Sequence, residues 1–176
     1  MHGMPVGDGG SARPRVKRKL FTFSAVVAAL FAADQLVKAA SVAYLRGRPP
    51  VEVVPDLFQL AYVENRGCAW GMLQGHVWPL AVFAMAAMAL LVWKRRSVFP
   101  SGKCGVLAEV LLYAGILGNL ADRLVRGCVI DMFDFHWHSH HFPVFNVADA
   151  FITAAAMLMI VLGFCGKGGG ESRGSA

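Results

Sequence analysis

Four long apolar stretches dominate the chain, at about 20–45, 77–93, 105–126 and 145–165. Leu20–Ala33 is almost wholly apolar, and the helical pattern runs on through Asp34, Gln35 and Lys38 to about Leu45. Val77–Trp93 is apolar throughout and stops at Lys94-Arg95-Arg96, an aromatic residue followed by a basic cluster. A bilayer core of ~30 Å needs about 20 such residues in a helix, with ~17 as the lower end, so each stretch is expected to cross a membrane. Residues 46–76 are mixed, with Pro49, Pro50 and Pro55 beside Phe58–Val63, which has modest strand character. Residues 127–144 are expected to be a loop. The pattern predicts an all-α integral membrane protein of four transmembrane helices with a small β-containing extracytoplasmic part. A basic tail over 1–19, a membrane domain over 20–165 and a flexible tail over 166–176 complete the expected organisation.

The opening also has the outline of a cleavable signal peptide: basic residues, an apolar core and Ser41-Val42-Ala43. Asp34 and Lys38 interrupt the approach to that cleavage point, which favours a retained helix. The two are four residues apart on one face, with the acid N-terminal to the base, the better order for an ion pair. At ~1.5 Å per residue Asp34 lies roughly 20 Å beyond Leu20, near the far membrane surface. A structural pair and a substrate-contacting pair both remain open for them.

Composition agrees with a membrane protein: 56% of residues are hydrophobic and only 16% charged, against ~25% charged in soluble domains. The net charge of +6 does not point to nucleic acid, because the basic residues sit at the ends of apolar blocks. Eleven of the 17 Lys and Arg lie in the two tails and the 94–103 loop. The excess of basic residues in cytoplasmic loops then places both termini in the cytoplasm and turns 46–76 and 127–144 outward. The cysteines show no CxxC spacing, so a structural zinc site is not expected. Cys68 and Cys128 share the outer side, and whether they pair is not legible from sequence.

The outward ends of the third and fourth stretches concentrate polar residues. Asn119 and Arg123, and Asp122 and Arg126, are i,i+4 pairs, with Gly115 and Gly118 leaving room for a close neighbour. Asp131 follows just beyond, and Asn146 and Asp149 share a face at the start of the fourth stretch. A short connection makes these stretches antiparallel neighbours, so Asp131 and Asp149 can face each other. Two carboxylates in a poorly hydrated place share a proton, and one can activate water while the other protonates a carbonyl. A blander arrangement has Asp149 capping its helix or pairing with Arg123 and Asp131 exposed in a turn.

His136-Trp137-His138-Ser139-His140-His141 offers four imidazoles. Without an acid or Cys at a recognised ligand spacing it is expected to be a solvated loop, with no metal and no cofactor in the chemistry. No GxSxG or GxxxxGK[ST] pattern is present. A transporter built on an intramembrane relay, and a scaffold with structural ion pairs, are the rivals to hydrolysis. The relay predicts polar groups spread through the membrane depth, whereas here they gather at one end.

Taken in order, Asp34-Gln35-Leu36-Val37-Lys38, Asn65-Arg66-Gly67-Cys68-Ala69-Trp70-Gly71, Gly118-Asn119-Leu120-Ala121-Asp122-Arg123 with Gly127-Cys128-Val129-Ile130-Asp131, and Phe145-Asn146-Val147-Ala148-Asp149 resemble the successive motifs of bacterial lipoprotein signal peptidase. The resemblance implies a monomeric aspartyl endopeptidase of the bacterial inner membrane. Its substrate would be a diacylglyceryl-modified prolipoprotein embedded in membrane lipid, cut before the lipidated cysteine, with sensitivity to globomycin. It implies catalysis by Asp131 and Asp149, and positioning or support by Asp34, Lys38, Asn65, Gly67, Asn119, Asp122, Arg123 and Asn146. It also implies an outer β-cradle over 46–76. Cys68 and Met132 stand where that family usually has Ala and Phe.

Overall fold

The computed structural model describes residues 12–68 and 72–167. Ala69, Trp70 and Gly71 of the second motif, the expected tail up to residue 11 and the tail beyond 167 lie outside the described residues. In chain order the elements are α1 (Ala12–Leu45), β1 (Val51–Val54), β2 (Phe58–Asn65), α2 (Val77–Trp93), α3 (Arg95–Val98), α4 (Lys103–Arg126), β3 (Val129–Trp137), β4 (His140–His141) and α5 (Val147–Lys167). The protein is thus mostly helical with one small antiparallel sheet.

Among the described residues, three helices are long and apolar enough to cross a membrane: α1 over Leu20–Leu45, α4, and α5 over Val147–Phe164. The shorter α2 is apolar along its whole length. α4 is the hub of the bundle, packed against α1, α2 and α5. Over half (56%) of its apolar span is buried, against 6% in α1 and 11% in α5. That asymmetry follows from sequence: α4 carries the small residues Ala108, Ala114, Gly115 and Gly118 among its buried positions. The outer helices instead present Phe21, Leu36, Trp78, Phe83, Trp93, Ile160 and Phe164 to the surroundings. An apolar surface of that extent suits lipid.

Gly118 marks the tightest approach. A Cβ built there would lie 2.5 Å from Asp34 Oδ2 and 3.1 Å from the Ala148 Cβ, so α1, α4 and α5 converge on this point. Asp34 is fully buried and cannot swing aside. Gly118→Ala is therefore expected to lower stability by ~1–3 kcal/mol through overpacking, read as an earlier thermal unfolding midpoint in detergent. Gly127 ends α4 in the left-handed conformation (φ 69°) that suits glycine at a helix C-terminus.

At the other end of the bundle Phe23 and Phe99 meet Tyr113 edge-on, and Arg95 pairs with the buried Glu109. Glu109 is thus a partnered acid, as its lone position among apolar residues demands.

Two expectations need correcting. α1 begins at Ala12, inside the basic tail expected over 1–19, so the helix extends a basic segment beyond its apolar part. And 127–144 is not a loop: β3 pairs antiparallel with β2 and carries β4 on its other edge, in the order β1-β2-β3-β4. The cradle therefore draws half its strands from the connection between α4 and α5, not from 46–76 alone. Val129-Ile130 and the aromatic residues of β3 fit a half-buried pleated surface; Val129 is buried, and Ile130 and Met132 are buried in a cluster with Val42 and Leu45 at the end of α1. The register places Val63 opposite Asp131 and Leu60 opposite Phe133, with one extra residue on β2 between them. This bulge adjoins Asp131, where the local twist of a bulge re-aims side chains.

Candidate active site

The C-terminal ends of α1 and α4, the N-terminal end of α5 and the sheet all meet at one end of the molecule. Their polar residues form a continuous hydrogen-bonded network there. Its base is an ionic quartet. Lys38 Nζ lies 3.0 Å from Asp34 Oδ2 and 3.0 Å from Asp122 Oδ2, and all three side chains are fully buried. Asp122 also pairs with Arg126 one helical turn on. Two acids and two bases balance, as burial requires. The remaining lone pairs are occupied: Asp34 Oδ1 accepts from the Ala148 N–H at 2.9 Å and Asp122 Oδ2 from the Ile130 N–H at 3.1 Å. Gln35, half-buried, donates to Asp34 Oδ2 at 3.1 Å and to the Gly118 carbonyl at 3.2 Å. Asp34 and Lys38 are thus both fully buried and held by partners within the protein itself.

Above the quartet, a layer of amides passes its order upward. Lys38 Nζ donates to Asn119 Oδ1 at 3.0 Å, and Asn146 Nδ2 donates to the same oxygen at 3.1 Å. Asn119 Oδ1 is thereby fixed as an acceptor, and Asn119 Nδ2 must face Asp149, donating to its Oδ1 at 2.7 Å. Asn146 caps α5 in a reciprocal box. Its Oδ1 accepts from the Asp149 N–H at 3.0 Å, while Asp149 Oδ2 accepts from the Asn146 N–H at 3.3 Å. Asn146 Nδ2 reaches across to Asp131 Oδ1 at 2.6 Å, so one side chain ties both acids together.

Asp131 sits on β3 with 1% of its surface exposed. Its other oxygen accepts from Asn65 Nδ2 at 3.0 Å, and Asn65 Oδ1 is in turn held by the Gly67 N–H at 2.9 Å. Asn65 faces Val129 in the ladder, so it lies diagonal to Asp131 on the same face, the expected reach for a cross-strand contact. Burial, and then the charge of Asp149 beside it, push the Asp131 carboxyl up to about 7, with the Asn65 and Asn146 amides opposing. Arg123 donates to the Gly67 carbonyl at 3.1 Å and to the Asn119 carbonyl at 3.4 Å, tying the 66–68 turn to α4. Its charge acts on Asp149 and Asp131 without a direct bridge to either. With the quartet neutral, this single positive charge is balanced when the two acids hold one proton between them.

All ten residues singled out from sequence thus fall in one network. Of the blander arrangement, the capping by Asp149 is present, but Arg123 turns to Gly67 and Asp131 is buried on a strand, not exposed in a turn. Cys68 and Cys128 are free thiols, with Cys68 directed at the Met72 carbonyl and Cys128 at that of Arg126.

The family model for signal peptidase (SPase) II matches residues 26–165, which contain this whole network. The chain belongs to the signal peptidase II family. Among its relatives, a lipoprotein signal peptidase of Aeromonas hydrophila is 41% identical over 140 residues, covering 76% of this chain and 83% of the relative. One from Syntrophotalea carbinolica is 36% identical over 133 residues, covering 74% and 83%. The fold is also similar to a bacterial membrane enzyme solved in meso at 2.3 Å resolution, with a TM-score of 0.77, 25% identity, and 88% of this chain and 94% of that one covered. The protein is accordingly a membrane-integral bacterial peptidase acting on signal peptides in lipoprotein maturation.

Sequence reasoning passed over Gln35 and Arg126 as parts of the site. Gln35 sits one residue from Asp34, on the flank of the face that Asp34 and Lys38 define. Arg126 Nη1 closes the layer by donating to Gln35 Oε1 at 2.9 Å.

Proposed function

We propose that this signal peptidase is an aspartyl endopeptidase that cuts diacylglyceryl-modified prolipoproteins immediately before the lipidated cysteine, using Asp131 and Asp149 to activate water. The observation that carries this reading is the bridging of the two acids by Asn146, at 2.6 Å to Asp131 and through the reciprocal cap to Asp149. Asp131, almost fully buried, holds the shared proton. Asp149 is half-buried at the N-terminus of α5, where the helix dipole favours negative charge. Asp149 then takes a proton from water as it attacks the scissile carbonyl, and Asp131 gives its proton to the carbonyl oxygen. As the tetrahedral intermediate collapses, Asp149 passes its proton to the leaving amine while Asp131 takes one back from a hydroxyl of the gem-diol, and the first arrangement is restored. Asn65, Asn119 and Asn146 orient the acids; Arg123 and Gly67 position the turn beside them; Asp34, Lys38 and Asp122 support the whole from below.

In this reading α2 is the fourth span, both termini are cytoplasmic, and the sheet with its acids faces outward from the inner membrane. The acyl chains of the substrate stay in lipid while its scissile bond reaches the cradle. The enzyme works as a monomer.

Tag-free protein in detergent, mixed with a lipid-modified prolipoprotein, is expected to give a cleaved product on gels, equally with and without EDTA. Loss of cleavage on chelation would overturn the metal-free reading. The pH dependence follows from Asp131. Its native carboxyl keeps a proton up to about pH 7, so kcat/KM is expected to fall as pH rises past neutrality. Between ~4, the ordinary carboxylate range, and neutrality the folded state binds more protons than the unfolded chain, so stability also declines with rising pH in that window. Asp131→Asn removes this slope, which thermal unfolding across the pH range would read.

A further inference from the structure

The histidine tract is not the solvated loop expected of it. His136 and His141 are opposite one another in the β3–β4 ladder, and their rings stack with centroids 5.1 Å apart and planes 20° from parallel. Asp134 is two residues before His136, hence on the same face of β3. His141 Nδ1 lies 2.9 Å from Asp134 Oδ1 and 3.0 Å from its Oδ2. One ligand atom from each of Asp134, His136 and His141 falls within 4.8 Å of the others. The acid that no ligand spacing revealed is supplied by the ladder, across the turn at His138-Ser139.

We propose that Asp134, His136 and His141 form a zinc site on the extracytoplasmic sheet, separate from the pair of acids at Asp131 and Asp149. Two imidazoles and a carboxylate are a ligand set for zinc, and imidazole nitrogen disfavours calcium and magnesium, which take oxygen. Asp134 is buried and already oriented by Gln59, whose Nε2 donates to its Oδ2 at 2.6 Å. Such an outer hydrogen bond fixes a ligating carboxylate. His136 has a buried Nδ1 with no hydrogen-bond partner, a costly state for a neutral ring. A cation drawn into the cluster gives that ring a bonding partner. His141 is half exposed and leaves an approach from solvent, with room for a water as fourth ligand. Zinc here replaces the hydrogen bond between His141 and Asp134 and ties the two-residue edge strand β4 to β3. No step of peptide hydrolysis passes through it.

The test is calorimetric titration of zinc into tag-free protein in detergent, with calcium titrated in parallel. A single saturable zinc site, absent for calcium, with a raised thermal unfolding midpoint is expected. His136→Ala/His141→Ala is expected to lose both the binding and the shift while keeping its helical circular dichroism and prolipoprotein cleavage. Asp134→Asn, a nearly isosteric change, is expected to weaken binding in a chain that folds even if the double variant does not. His138→Ala/His140→Ala is expected to bind as the unaltered protein does. No zinc uptake by the unaltered protein, undiminished binding in the Asp134 and His136/His141 variants, or loss of binding in the His138/His140 variant would each overturn the site.

Discussion

Asp131→Asn and Asp149→Asn are each expected to abolish prolipoprotein cleavage while the protein still inserts and folds. The exchange keeps the shape of the side chain but removes an ionisable group. In the Asp131→Asn variant the amide cannot give up a proton to the carbonyl oxygen on demand. Its NH2 must also face one of two donors, Asn65 Nδ2 or Asn146 Nδ2, which in the unaltered protein hold the carboxylate at 3.0 and 2.6 Å. In the Asp149→Asn variant no base remains to take the proton from water, although the cap oxygen facing the Asn146 N–H can persist. General acid–base catalysis is worth ~10²–10⁴ for each positioned group, so a loss of about 10³-fold or more is expected for either variant. The measurement is single-turnover cleavage of a lipid-modified prolipoprotein, with circular dichroism confirming helix content. Near-normal turnover in either variant would remove that residue from the chemistry. The two variants combined are expected to be no worse than one, since the acids act as a unit.

The largest expected effect on stability is at Lys38. Its ammonium is the shared partner of Asp34, Asp122 and Asn119, at 3.0 Å in each case. Lys38→Met keeps the length and apolar stem but strips the charge, leaving Asp34 buried with no counter-charge and Asp122 with Arg126 alone. Breaking a buried pair from one side costs ~3–5 kcal/mol. A marked fall in the unfolding midpoint in detergent is expected. Cleavage is expected to fall as well, because Asn119 loses the donor that fixes its orientation toward Asp149. Adding Asp34→Asn is expected to recover part of the loss, a coupling of ~0.5–3 kcal/mol in a double-mutant cycle. Strict additivity would show that Lys38 and Asp34 do not act as a pair.

Much of this site was legible in the chain because its ingredients are local. The i,i+4 spacings fixed the Asp34–Lys38 and Asp122–Arg126 pairs, since helical periodicity alone brings such side chains together. Asn146 three residues before Asp149 is a capping arrangement that needs only the start of a helix. The apolar stretches marked the helices because only long runs of such residues are stable in lipid. What local rules misjudged was 127–144. A segment between two spans, dense in histidine and charge, reads as a loop, and its strand character surfaces only once β2 offers a partner. Strand formation depends on a ladder whose other half lies about 70 residues earlier in the chain.

By itself, then, the sequence determined the membrane class, the apolar helices and the list of polar residues that had to find partners. Tertiary structure decided who those partners are. Lys38 serves α4 as well as its own helix, Asn146 joins a strand acid to a helix acid, and Arg123 takes Gly67 in place of Asp149. It likewise decided that Asp134 meets His136 and His141. The reason is physical: helical and capping contacts are set by backbone periodicity within a few residues, whereas buried polar groups are satisfied by whatever the packed elements bring within ~3 Å.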